Sequence, residues 1–435
     1  MPSSQVKGGQ VKKVFEFCKL QQDALKSPAG KKGIPPYWAD FIAQIALPIH
    51  IGIIDWIIKT VPPNSTIAFL SRDGFLGYNI LKRLQSLPAV KQKKLRIIYL
   101  PVSRSFIKLT YAAAIGDKNL FEQFAKQKNI RFWEKAKPPT DLSKLFEYHA
   151  QQAKLYKKYL QKLGLLNQDF YTFELGWRGT TVYYLLKLIK EVYGYKHTVT
   201  PLYFGSTATT PPEIKTLQKT YAIKDSQPAD LFGFIESYIA IFEFMFSAPH
   251  GRFLGLNKHI QPVWKKTPST HTTVQKYFEK ALPPLVYQFY KKNPRILQEP
   301  VMPAKDLLQP FIDFATRKDY KDLKEWSKLY LEIGVFAEYM PFVPSVSKKE
   351  FLQMRNSQIK KLMQRALWPY TIFIKDTTRK QFYELLRQKG VEEYMKQGWK
   401  PDFRYILASF NMDKIKRIMR NPGGYIKTLW QWVKG

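Results

Sequence analysis

One cysteine, Cys18, stands in a chain of 435 residues. A lone thiol excludes an intrachain disulfide framework and a multi-thiolate zinc site, and it fits a reducing compartment. The six histidines (His50, His149, His197, His250, His259 and His271) are scattered, with no pair at metal-ligand spacing. Four motifs are missing: G-x-x-x-x-G-K-[ST], G-x-G-x-x-G, G-x-S-x-G and D-x-D-x-T. Their absence leaves P-loop, dinucleotide-binding, α/β-hydrolase and haloacid-dehalogenase phosphatase chemistry without support. The opening "MPSSQVKGGQVKK" has no apolar centre, so no secretory signal is expected. No clean membrane span occurs either. "FIAQIALPIHIGIIDWII" (residues 41–58) contains Pro48, His50 and Asp55, whereas a span needs about 20 uncharged apolar residues. It reads as a buried helix pair. "ADLFGFIESYIAIFEFMFSA" (229–248) carries Asp230, Glu236 and Glu243 and reads as a buried helix.

Acidic residues are scarce. Asp plus Glu number 34 against 70 Lys plus Arg, a formal charge of +36. Such an excess points to a polyanionic partner: nucleic acid, an anionic membrane surface or a phosphate-rich substrate. With 45% hydrophobic and 15% aromatic residues, the chain is a folded protein with a large core.

The organisation has three parts. Residues 1–35 read as a flexible lead with one short helix over 11–24. Residues 36–260 alternate strand and helix, with strands predicted over 65–71, 94–103, 169–175 and 198–207, and a lysine-rich helical stretch over about 119–163. That alternation predicts an α/β fold, a mainly parallel sheet flanked by helices. Residues 261–435 read as a mostly α-helical, basic C-terminal region open to acceptor or membrane contact.

In a parallel sheet every strand-to-helix turn falls on the carboxyl edge, where ligands bind. Three such turns carry arginine: Ser71-Arg72-Asp73-Gly74, Ser103-Arg104-Ser105 and Gly176-Trp177-Arg178-Gly179-Thr180-Thr181. Taken singly, each is an ordinary helix start, with Ser103 or Thr180 as a cap. Together on one edge they make an anion site, because helix starts and the arginine fork both favour phosphate. The candidate phosphate-binding residues are Arg72, Gly74, Ser103, Arg104, Arg178, Gly179, Thr180 and Arg252. Carboxylates join them. Asp73 lies on the edge, Glu174 ends the third strand, and Glu236 and Glu243 share a helix face. "SAPHGRF" (247–253) adds His250 and Arg252 in a turn.

The ordered set "FLSRDGFL", "YLPVSRS", "ELGWRGTT", "LYFG" and "FSAPHG" resembles the glycan phosphoribosyltransferase module of bacterial two-domain ribofuranosyltransferases, proteins often labelled haloacid-dehalogenase-like hydrolases. The resemblance spans residues 37–256. It implies transfer of a 5-phosphoribosyl group from 5-phosphoribosyl diphosphate to a hydroxyl of a growing O-antigen or capsule glycan. The chain shows no phosphatase motif, so a separate haloacid-dehalogenase-type phosphatase is expected to remove the 5-phosphate. In this reading Arg72, Arg104 and Arg178 divide the donor's phosphates, and Trp177, Glu174 and Glu236 contact sugar. Asp73, with Glu243 and His250 behind it, takes the acceptor proton. Asp73 alternatively holds Mg²⁺ on the diphosphate. The residues leave those two roles open.

The last stretch, residues 411–435, sets Lys414, Lys416, Arg417, Arg420, Lys427 and Lys434 against Asp413 alone, with Trp430 and Trp432 among them. Basic residues with interfacial aromatics suit an anionic membrane surface. The expectation is a cytoplasmic enzyme, peripheral on the inner face of the membrane and beside a lipid-linked glycan acceptor. No nucleic-acid-binding module is recognisable, so nucleic acid is not the expected partner. A basic nucleic-acid-binding protein and a phosphatase-type hydrolase remain the rival readings.

Overall fold

The computed structural model describes residues 4–26, 33–126, 141–207, 210–223, 238–333, 338–364, 366–368 and 371–396. Glu236 and the basic stretch 411–435 lie outside the described residues.

The expected α/β fold is present. Its sheet contains β1 (Thr66–Leu70), β2 (Arg96–Leu100), β3 (Phe170–Trp177), β4 (Val199–Ser206) and β5 (Lys219–Ile223), all parallel in the order β2-β1-β3-β4-β5. Four strands match their predicted segments. β5, "KTYAI", is an edge strand with a polar start and a mostly half-exposed face, so it lacks the continuous apolar run of a buried parallel strand.

Burial on both faces explains the apolar runs. Alternate side chains of a strand point to opposite faces. Ile67 and Phe69 of β1 enter one core, while Ala68 and Leu70 enter the other. The second core is closed by α4 (Arg104–Ala114), α6 (Leu142–Lys162) and α7 (Thr180–Lys187); α3 (Phe75–Leu84) precedes α4, and α5 (Lys118–Ala125) lies between α4 and α6 in the chain.

The first core is much larger and crosses the expected domain boundary near residue 260. It joins α1 (Ser4–Lys26), α2 (Pro36–Thr60) and α3 to α8 (Ile239–Phe244), α9 (Ser269–Lys292) and α10 (Ala304–Arg317), and it continues to Met395. Within the lead, Ser4–Lys26 is therefore a packed helix, with Val14, Phe17 and Cys18 buried. The apolar stretch at 41–58 is one helix and not a pair. A π-turn at Ile42–Ala46 precedes Pro48, and that wider turn carries the backbone past the proline without a break. α2 is long and apolar enough to cross a membrane, yet 94% of its most apolar window is buried inside the protein.

Asp55 is fully buried in α2 and fixes it in place. Its carboxylate meets Lys59 Nζ at 2.6 Å and accepts from the Met302 amide at 3.3 Å. Burial nevertheless pushes its pKa up to about 6. The C-terminal region also contains short strands that the sequence reading does not include, such as the antiparallel pair Tyr330–Ile333 and Glu338–Pro341.

Candidate functional site

The strand order locates the site. The chain places β2 on one side of β1, then returns to add β3, β4 and β5 on the other. The reversal lies between β1 and β3, and the crevice outside the carboxyl ends there is where such sheets bind ligands. Asp73 follows β1, and Glu174 lies near the end of β3.

The turn after β1 is held by the neighbouring turn. Ser71 N donates to Leu100 O at 3.0 Å, and Ser71 Oγ donates to Val102 O at 2.7 Å while accepting from Val102 N at 3.0 Å. Gly74 is required by closeness: a Cβ there would sit 2.6 Å from Leu70 O and 2.8 Å from Leu70 N. Gly74, not Asp73, is the N-cap of α3, and no side chain caps it. Asp73 is thus not a helix cap.

Asp73 instead faces charge. Its pKa is pushed up to about 7 by burial and then by Glu243, with Arg72 and Arg104 pulling the other way. Glu174 is pushed up to about 8 by burial, Asp73 and Glu243, against a hydrogen bond from Thr181 and the charge of Arg104. Asp73 and Glu174 thus lie within electrostatic reach of each other, of Glu243 and of Arg104, and repulsion adds to burial in holding both of their carboxyls up. Asp73 keeps some solvent access, whereas Glu174 is buried.

The structure sorts the remaining candidates. Arg72 acts on Asp73, His250, His271 and Tyr99, which places it within electrostatic reach of all four. Arg104 is exposed at the first turn of α4 and acts on both Asp73 and Glu174. One turn along α4, the pKa of Lys108 is pushed down to about 8 by burial and then by Arg104. Arg178 is exposed at the start of α7; the cations acting on Asp73 and Glu174 are Arg72 and Arg104. Thr180 opens α7 and is half-buried, beside Thr181. Gly179 takes φ +61° as the α7 N-cap, a conformation glycine adopts without strain.

Four expected roles need correction. Ser103 is not a free phosphate donor: it caps α4 by accepting from Phe106 N at 3.3 Å and gives its proton to Phe253 O at 2.8 Å. Arg252 Nη1 donates to Ser105 Oγ at 3.3 Å, which ties the turn after α8 to α4. Trp177 adopts φ +69°, turns inward and packs between Phe204 and Phe242, so it lines the core and not a sugar wall.

His250 is not placed as a base. Its Nδ1 lies 2.8 Å from Gly251 O, a pure acceptor, so Nδ1 carries the proton. Nε2 then accepts from the Tyr99 hydroxyl at 2.9 Å. Both ring nitrogens are engaged, and burial pushes the pKa down to about 4. His250 positions Tyr99 beside Asp73.

Sequence reasoning missed Tyr99, Thr181 and His271. Thr181 and Tyr99 did lie inside the quoted motifs, which was the available signal. Among the described residues, no three His, Cys, Asp or Glu side chains stand together as metal ligands. A 270 Å³ depression beside Trp38, Tyr277 and Leu329 contains none of the clustered carboxylates or arginines. No protein-family model matches the chain, and no curated protein matches it either.

Proposed function

We propose that the protein is a glycosyltransferase of surface-polysaccharide synthesis, moving a 5-phosphopentofuranosyl group from 5-phosphoribosyl diphosphate to a glycan hydroxyl. The observation that carries this reading is Asp73: a carboxyl held near neutrality, solvent-reachable, at the sheet's reversal point and flanked by Arg72 and Arg104. A general base works best with a pKa near the working pH. The acceptor oxygen forms a bond to C1 of the pentose as its proton passes to Asp73. The C1–O bond to diphosphate breaks, and diphosphate leaves with the electron pair. In this reading Arg104 would offset the negative charge that grows on that leaving group, whereas Lys108 lies over the rings of Phe124 and Tyr184, at 4.1 and 5.6 Å. Arg178, exposed at the start of α7, is assigned to the 5-phosphate. Glu174, protonated near neutrality, adds no competing charge. The product keeps its 5-phosphate until a separate phosphatase acts.

The test is incubation with 5-phosphoribosyl diphosphate and a panel of glycan acceptors. Diphosphate release that requires acceptor supports transfer. Phosphate release without acceptor favours a hydrolase. Neither, with salt-sensitive RNA or DNA binding, favours the nucleic-acid reading.

A further inference from the structure

Next to the catalytic edge stands an antiparallel hairpin, β6 (Phe253–Leu256) and β7 (Pro262–Trp264). We propose that this hairpin docks the protein on an anionic lipid bilayer. The proposal stands apart from the transfer reaction, since vesicle binding needs neither donor nor acceptor.

Three observations carry it. First, the ladder pairs Phe253 with Trp264 and Gly255 with Val263, so Leu254 is the extra residue of a bulge. Leu254 and Val263 are 37% and 39% exposed, and Tyr148 beside them is 40% exposed, its hydroxyl donating to Leu254 O at 3.4 Å. Apolar side chains are thus held outward on a rigid ribbon. Second, the charge along the hairpin's own stretch of chain has one sign, the nearest exposed acid beside Tyr148 being Glu147. From Phe244 to Phe278 there is no Asp or Glu, while Arg252, Lys258, Lys265, Lys266 and Lys276 all occur. Lys258 and Lys266 are exposed. Cations mixed with exposed apolar groups are the chemistry that anionic interfaces attract.

Third, the tip is preformed. Asn257 Oδ1 accepts from His259 N at 2.9 Å and from Gln261 N at 3.0 Å, and Ile260 is held at φ +59°. A β-branched residue in that region is strained. Little ordering is left to be done on contact. The hairpin's root is the site itself: Phe253 O accepts from Ser103, and Trp264 packs on His250 with ring centroids 3.9 Å apart. Docking here would set the catalytic edge beside the membrane.

The experiment uses the full chain and vesicles of phosphatidylglycerol and phosphatidylcholine mixed one to two, against pure phosphatidylcholine. Each lysine at such a surface contributes about fivefold in binding, so Lys258→Gln with Lys266→Gln is expected to weaken binding to the anionic vesicles by about thirtyfold. Leu254→Cys labelled with an environment-sensitive dye reads contact directly, because the native Cys18 is buried and its thiol stays protonated. Its emission is expected to shift to the blue with anionic vesicles only. An unchanged affinity in the double variant, or a dye that stays in water while the chain binds, overturns the proposal. Equal displacement of the dye signal by RNA on a vesicle-free sample overturns it in favour of nucleic acid.

Discussion

Replacing Glu174 by glutamine should make the protein more stable, and increasingly so as pH rises. In the fold its carboxyl is held up at about 8, while in the unfolded chain it returns to the ordinary 4.5. Below about pH 4.5 both states carry the proton and nothing is gained or lost. As pH rises towards 8 the unfolded chain releases its proton and the folded one keeps it, so the wild type loses stability across that window. At about pH 7.5 this works against the fold by about 4 kcal/mol, at about 1.36 kcal/mol per pH step. Glutamine has no proton to release and can still bond Thr181. Urea unfolding at about pH 5 and about pH 8 should therefore show a variant advantage below about 1 kcal/mol at the lower pH and about 2–4 kcal/mol at the higher. An equal difference at both pH values, or a destabilised variant at the higher one, would refute the placement of Glu174 among Asp73 and Glu243.

Asp73→Asn should cut acceptor-dependent diphosphate release by about 10²–10⁴-fold while the thermal transition at neutral pH stays at or above the wild type's, since the raised carboxyl works against the fold there. In the wild type, kcat/KM should rise with pH and level off above about 7, because the base must be ionised to act; a flat profile would remove Asp73 from that role. Gly74→Ala drives a methyl to 2.6 Å from a backbone oxygen and should lower stability by about 1–3 kcal/mol in denaturant titration. Asp55→Ala strands Lys59 beside a buried gap and should cost about 3–5 kcal/mol.

What could be read from the sequence follows from which physics is local. Strands β1 to β4 were legible because burial on both faces leaves an uninterrupted apolar run, as in "TIAFL". β5 was not, because an edge strand half in solvent need not be apolar. Asp73 and Glu174 were found through the turns that hold them. The rejection of capping for Asp73 needed coordinates, since only they place Gly74 at the cap position. The inward turn of Trp177 depends on a backbone angle that no composition rule predicts for tryptophan. His250 looked reactive until Tyr99, 151 residues away, proved to occupy its free nitrogen. The shared core was hidden for the same reason: contacts between α8 and helices far along the chain leave no local trace.

That shared core has a consequence for synthesis. Glu243 sits on α8, whose neighbours Phe242 and Phe244 pack on Phe311 and Phe342 at 5.3 Å each, and on Trp326 at 5.2 Å. A ribosome that has made the whole five-stranded sheet has therefore not yet fixed Glu243 beside it. That carboxylate is held only when chain some hundred residues downstream has emerged. Under the proposed function, transfer would switch on late and at once, and a prematurely terminated product would carry all three arginine turns yet remain inert.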